Sequence, residues 1–151
     1  MLVKKFSNED IQILVEYLKS VENDFNPPLF ERIRDRSNVY NVEEYANKVL
    51  SNASILYAIY SNCICGIVII YHNDLVTKKG YIPLLSVRKE FSGKGFAKNL
   101  VQNAIKIAFE DGMNEILVKT WKDNNSAKKI YENLGFMLID SDTDLIFRKI
   151  K

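Results

Sequence analysis

Two short stretches of this 151-residue chain hold chemistry-bearing residues at useful spacings. In EFSGKGFAKNL (residues 90–100), two glycines flank a lysine just ahead of an amphipathic run. A helix starting there offers free N–H groups and the positive end of its dipole, which favours an anion. Glycine lets backbone approach oxygens where a Cβ would obstruct, and Lys94 can add a charge. Gly93, Lys94, Gly95, Phe96 and Ala97 therefore read as a pyrophosphate cradle, although a plain strand-to-helix turn would use the same residues. Two familiar phosphate loops fail on spacing. A dinucleotide fingerprint needs a small residue where Lys98 stands, and a P-loop needs a glycine at Arg88 and a hydroxyl at Gly95.

The second stretch is NNSAKKIYENLGF (residues 124–136). Its spacing puts Ala127 and Tyr131 on one face of a helix. Tyr131 then carries a phenol toward whatever lies beside the sheet. Asn124 falls at the helix start, where its side chain can cap the helix or grip an amide. Both residue types also serve purely structural ends, Asn as a cap and Tyr as a half-buried side chain.

Elements must hold these stretches in place. Residues 2–6 read as a strand. Ser7 with Asp10 resembles a helix cap, and Ile11, Leu14, Val15 and Leu18 follow at helical spacing. FNPPLF (residues 25–30) forbids a continuous helix and predicts a packed loop. Asn41 with Glu44 caps a second helix, with Tyr45, Val49 and Leu50 on its apolar face. Strands are expected at 55–60, 64–72 and 81–87, with a turn at Ser61-Asn62 and a hairpin loop at 73–80. Pro83 removes a ladder donor and predicts an irregular or edge position. Ala97, Leu100, Val101, Ala104, Ile105 and Ala108 mark a helix that Asp111-Gly112 ends. A strand at 116–120, a short helix closed by Gly135, and strands at 136–139 and 145–150 complete the chain. The predicted order is β-α-α-β-β-β-α-β-α-β-β, an α+β fold with a mixed sheet.

The two motifs together resemble the GNAT (Gcn5-related N-acetyltransferase) superfamily. LLSVRKEFSGKGFAKNL is similar to its acyl-CoA-binding strand, loop and helix, and NNSAKKIYENLGF to its later Asn-x-x-Ala-x-x-x-Tyr and Gly-Phe segment. The likeness covers essentially the whole chain, and implies one acyl-CoA N-acyltransferase domain over residues 1–151. It implies a mixed, mostly antiparallel sheet flanked by helices, and acetyl transfer from acetyl-CoA to an amine. Leu85 and Val87 would pair with the pantetheine arm, residues Ser92, Gly93, Lys94, Gly95, Phe96 and Ala97 would hold the pyrophosphate, and Asn124 would contact the coenzyme. Tyr131 would hydrogen-bond the sulfur and protonate the leaving thiolate. Backbone N–H near Val87 would polarise the thioester carbonyl. Ser92 departs from the Arg or Gln that usually begins the loop, but backbone N–H groups carry most of the binding there.

The amine must be neutral to attack, so a base is expected. His72 and Asp74, at the end of the preceding strand, are the candidates, with Glu90 weaker; hairpin-turn residues are the plain alternative. The acceptor should sit opposite the coenzyme, near Asp24, Phe25, Asn26, Phe30, Glu31 and Arg32. A looser likeness of the Pro-Pro segment and the YHND turn to enzymes of bacterial surface-sugar clusters points to a small-molecule amine such as a nucleotide-linked amino sugar. A protein or peptide α-amine is the alternative, and a non-catalytic acyl-CoA-binding module a third.

Composition bounds the rest. A net charge of +2 with no basic stripe argues against a nucleic-acid partner. The longest apolar run, at residues 63–71, is too short for a spanning helix, and MLVKKFSNED lacks a signal peptide's apolar stretch. No membrane partner and a cytoplasmic location follow as expectations. Cys63 and Cys65 alternate on one strand, which argues against a mutual disulfide, and with His72 as the sole histidine no metal site is expected. The oligomer is expected to be a monomer or homodimer.

Overall fold

A computed structural model describes residues 2–151. Strand β1 (Leu2–Lys5) runs into a turn where the Ser7 N–H donates to Asp10 Oδ2 at 2.9 Å. Helix α1 (Ile11–Ser20) follows, burying Leu14, Val15, Tyr17 and Leu18. Helix α2 (Leu29–Ser37) begins directly after the proline pair, where the sequence predicts only a packed loop. A proline at a helix entrance loses nothing, because the N–H it lacks would have no partner there. Only Leu29 and Ile33 of α2 are buried, and that single i, i+4 pair explains why the helix escapes a periodicity argument. Helix α3 (Val42–Asn52) is capped as expected: Asn41 Oδ1 accepts from Glu44 N–H at 2.8 Å, and Glu44 accepts from Tyr40 N–H at 2.8 Å.

Strands β2 (Ser54–Tyr60), β3 (Cys63–Tyr71) and β4 (Lys79–Val87) form an antiparallel meander. Helix α4 (Phe96–Glu110), strand β5 (Glu115–Trp121), helix α5 (Asn125–Asn133), and strands β6 (Met137–Asp140) and β7 (Asp144–Ile150) complete the chain. The sheet order is β1-β2-β3-β4-β5-β7-β6, and only the β4–β5 pair among these is parallel. The expected mixed, mostly antiparallel α+β architecture is thereby borne out. One sheet face packs on α4 and α5 through Leu100, Val101, Ala104, Tyr131 and Phe147. The other packs on α1, α2 and α3 through Leu14, Leu18, Ile33, Tyr45 and Val49. Among the described residues, no helix is long and apolar enough to cross a membrane.

The feature that matters for function is where β4 leaves β5. The parallel ladder spans only Lys79–Ile82 against Glu115–Val118. Beyond it, β5 stays paired with β7 as far as Trp121, while β4 stays paired with β3 as far as Val87. Pro83 sits where the β4–β5 ladder stops. Its strand also carries an extra residue here, since Ile69 faces Leu84 but Tyr71 faces Tyr81. A bulge with a residue that cannot donate ends the pairing. The irregularity predicted from Pro83 is thus present, in an interior strand whose β5-facing edge is open.

Candidate active site

The open wedge exposes main chain. Arg88 N–H donates to Cys65 O across to β3 at 2.8 Å. The two-residue alternation of a strand then turns the amides of Val87 and Leu85 the other way, toward the edge that β5 vacates.

Beneath this edge lies a groove of about 570 Å³. Leu85, Val87, Ser92, Gly93, Gly95, Phe96, Ala97 and Asn124 all line it. Eight of the residues expected at the coenzyme thus converge on one surface. Gly93 (φ +75°) and Gly95 (φ +85°) are in the left-handed region, and a Cβ on either would meet no protein atom within 4 Å. Backbone conformation demands glycine here, and the space that a side chain would fill is the groove itself. Gly95 starts α4 without a side-chain cap, and no acid stands in the first turn. The N–H groups of Phe96, Ala97 and Lys98 therefore have no intrahelical partner. Free donors, a fifteen-residue helix dipole and open space suit a pyrophosphate. Lys94 is exposed and does not line the groove; its Nζ lies 5.9 Å from the Phe91 ring. Ser92 Oγ donates to Lys89 O at 2.7 Å.

A second cavity of about 410 Å³ adjoins the groove, and Phe25, Leu85, Trp121, Asn124 and Ala127 line both. Tyr131 belongs to this second cavity and not to the groove. It is 3% exposed, packed on Phe136 and Phe147 with ring centroids 5.5 and 5.8 Å away. Its hydroxyl has no hydrogen-bond partner among the described residues, yet no fully buried side-chain polar atom there lacks one. The hydroxyl is therefore the part of Tyr131 that opens to the cavity. Burial pushes the phenol up, with Tyr81 adding to the effect, so it stays protonated. Asn124 lies at the junction with much of its capacity used: Oδ1 accepts from Ala127 N–H at 3.2 Å and Nδ2 donates to Thr120 Oγ1 at 2.9 Å.

Three more tyrosines, from α3, β3 and β4, line the same cavity: Tyr45, Tyr71 and Tyr81. Burial raises all three phenols. Arg32, Arg36, Lys48 and Lys119 also line it. Of the expected acceptor-side residues, Phe25 and Arg32 reach this cavity, Asp24 reaches the groove, and Asn26, Phe30 and Glu31 reach neither. The sequence signal for Tyr45 is that of an apolar helix face, and nothing in spacing ties it to Tyr71 or Tyr81.

His72 and Asp74, expected as candidate bases, line neither cavity; nor does Glu90. His72 Nε2 lies 2.7 Å from Ser54 Oγ, and Nδ1 lies 2.8 Å from Asp111 Oδ2. This is the connectivity of a nucleophilic triad, but Ser54 is 3% exposed and opens on no cavity described here. Asp74 Oδ1 accepts from the amides of Val76 and Thr77, closing the hairpin turn. Hydrogen bonding from Thr77 holds its carboxyl below the usual range, which weakens it as a base.

Comparison with known proteins supplies the context. The model described as Acetyltransferase (GNAT) family matches residues 17–136. N-alpha-acetyltransferase 30 of Schizosaccharomyces pombe is 40% identical over 60 residues, which is 40% of this chain and 40% of that protein. The chain thus matches well under half the length of that relative. An acetyltransferase of the GNAT family from Streptococcus pneumoniae superposes with TM-score 0.77 at 19% identity, covering 99% of this chain and 98% of that one. A streptothricin acetyltransferase from Bacillus anthracis, solved with acetyl coenzyme A, superposes with TM-score 0.62 at 25% identity over 70% of this chain and 67% of that one.

Proposed function

The chain belongs to the GNAT acetyltransferase family, and from that premise we propose that it moves an acetyl group from acetyl-CoA to the α-amine of a peptide N-terminus. The observation that carries the acceptor choice is the wall of the second cavity. It holds four cations, four phenols and, among the described residues, no carboxylate or imidazole. Such a wall disfavours an ammonium and offers no strong base. It suits an amine that is already partly neutral. An α-amine with pKa near 8 is about one-tenth neutral at pH 7, whereas a lysine-type amine near 10.4 is neutral in about one molecule in 2,500. The similarity to an N-alpha-acetyltransferase supports the same choice. It favours the peptide α-amine, the alternative at the sequence level, over the small-molecule or nucleotide-linked amino-sugar acceptor expected there.

Acetyl-CoA, when bound, supplies an electrophilic thioester and a thiol leaving group. The glycine loop and the free amides of Phe96, Ala97 and Lys98 hold its pyrophosphate. Leu85 and Val87 pair with the pantetheine arm as an added strand. The Val87 N–H stabilises negative charge that develops on the carbonyl oxygen. The neutral amine would attack the thioester carbon, forming C–N as C–S breaks; Tyr131 Oη would give its proton to the departing sulfur, and the proton shed by the nitrogen would return the phenoxide to phenol by way of solvent. Ser92 and Asn124 shape the groove, and Lys94 adds a solvated charge beside it. His72 ties the end of β3 to Asp111 at the end of α4, and Asp74 closes the β3–β4 turn.

The test is an acceptor panel with purified protein and acetyl-CoA, read by mass spectrometry. It compares free-N-terminal peptides, Nα-blocked peptides carrying lysine, and amino sugars. Acetylation of the free α-amine is expected. Acetylation of amino sugars or lysine side chains alone overturns the reading.

A further inference from the structure

We infer that the acceptor cavity selects peptides with a carboxylate side chain close to the reacting α-amine, and that Arg32 is the residue that reads it. This rests on the α-amine reading above. Three observations carry it.

First, Arg32 is a fixed cation with no direct ion pair among the described residues. Its guanidinium stacks over the Trp121 ring at 4.3 Å, and it has no side-chain hydrogen bond among the described residues. Half-burial and the neighbouring Arg36 weaken its hold on the proton, against smaller opposing pulls from Asp144 and Tyr81. A planar guanidinium locked on an aromatic face is pre-organised for two-point contact with a carboxylate.

Second, the surrounding charge does not cancel. Arg36 and Lys119 share a single carboxylate, Asp144, at 3.2 and 3.5 Å. Lys48 donates to Ser37 O at 3.1 Å and meets no acid among the described residues. One carboxylate thus faces four lining cations. A partly desolvated cation without a partner is costly, and an incoming carboxylate offsets that cost.

Third, position fixes how near the acid must be to the amine. Trp121 lines both cavities, so the stacked Arg32 stands beside the passage between them, whereas it does not line the groove. A coenzyme phosphate is therefore not its partner. A side chain within the first few residues of the acceptor is.

The experiment compares short free-N-terminal peptides that differ only in Asp, Asn or Lys at the second and third positions, with wild type and Arg32→Gln. In wild type, the Asp peptide is expected to exceed the Asn peptide about tenfold in kcat/KM, mostly through KM, with the Lys peptide lowest. Arg32→Gln should bring the Asp-to-Asn ratio close to one. Should that variant fold poorly, salt serves instead: raising ionic strength to about 0.5 M should shrink the wild-type ratio severalfold. Equal turnover of all three peptides by wild type overturns the inference and leaves the α-amine reading standing. A ratio that survives both Arg32→Gln and salt overturns the role of Arg32. Failure to acetylate any peptide, with amino sugars turned over, overturns both.

Discussion

The groove and the acceptor cavity share Leu85, Trp121 and Asn124, yet they are built from different material. The groove's hydrogen-bonding groups come largely from main chain: an open strand edge at Leu85 and Val87, two left-handed glycines, and the uncapped first turn of α4. The cavity is side chain: phenols and cations brought together from α2, α3, β3, β4, β5 and α5. Backbone recognition suits a partner whose chemistry never varies, because a pyrophosphate and an amide arm look the same in every turnover. Side-chain recognition can be retuned one residue at a time, so on the proposal above acceptor preference is set in the cavity. In this chain that wall carries four cations.

If that division is right, the largest loss should come from a side chain on the acceptor side that touches the reaction. Tyr131→Phe removes a hydroxyl with no protein partner, so stability should change by less than about 0.5 kcal/mol. The rate should fall about a hundredfold, at the low end for loss of a general acid because a thiolate leaves readily. Acetyl-CoA affinity should stay within about twofold, since the backbone holds the coenzyme. Single-turnover kinetics beside calorimetric titration separates these terms. Unchanged turnover makes Tyr131 structural and removes the strongest link between the two regions.

The same division explains what could be read from the sequence. Backbone recognition requires contiguous signals, and Gly93, Gly95, Phe96 and Ala97 stand side by side with a strand before them and a helix after. Seven residues that the resemblance assigns to this one stretch, Leu85, Val87, Ser92, Gly93, Gly95, Phe96 and Ala97, line one groove. The phenols left no such trace. Tyr45, Tyr71 and Tyr81 meet only because a helix crosses a sheet near a bulge that spacing cannot locate. His72 stands at the end of a strand, where the sequence offers a base, but it sits one residue past Tyr71 and outside the cavity that Tyr71 lines. Helix α2, which carries Arg32 and Arg36, was hidden behind two prolines and a weak apolar stripe.

A matched pair of glycines tests the groove. Gly95 (φ +85°) and Gly112 (φ +95°) flank opposite ends of α4, and an added Cβ meets nothing within 4 Å at either. Alanine should strain both backbones alike, by about 1–2 kcal/mol. Only Gly95 faces the groove. Gly95→Ala should therefore weaken acetyl-CoA about tenfold, while Gly112→Ala should lower the melting temperature comparably without changing Kd. Equal Kd in the two variants would mean that the glycines make a turn and nothing more.

The smallest effect concerns the tie between the regions. Tyr17, on helix α1 in the layer with α2 and α3, reaches β4 at Ser86: its hydroxyl lies 3.0 Å from Ser86 Oγ and 3.3 Å from Ser86 O. Ser86 lines the groove, so this bond anchors the coenzyme strand to the other layer. Tyr17→Phe should cost about 1 kcal/mol at pH 7, with coenzyme affinity altered less than twofold. Burial pushes the Tyr17 phenol up to about 12, against smaller opposing effects of Ser86 and Arg88. The folded state therefore favours the protonated form. That contribution is complete below the unfolded value near 10 and is lost as pH rises through about 12. Between those limits the wild type should lose stability faster than Tyr17→Phe, by about one proton, or about 1.4 kcal/mol per pH unit. Tyr45 and Tyr131, also raised by burial, contribute to both slopes and cancel in the difference. Denaturant titrations of the two proteins at a series of pH values from 9 upward read that difference directly. Parallel slopes would show that folding does not raise the Tyr17 phenol, so that neither its burial nor its bond to Ser86 opposes ionisation.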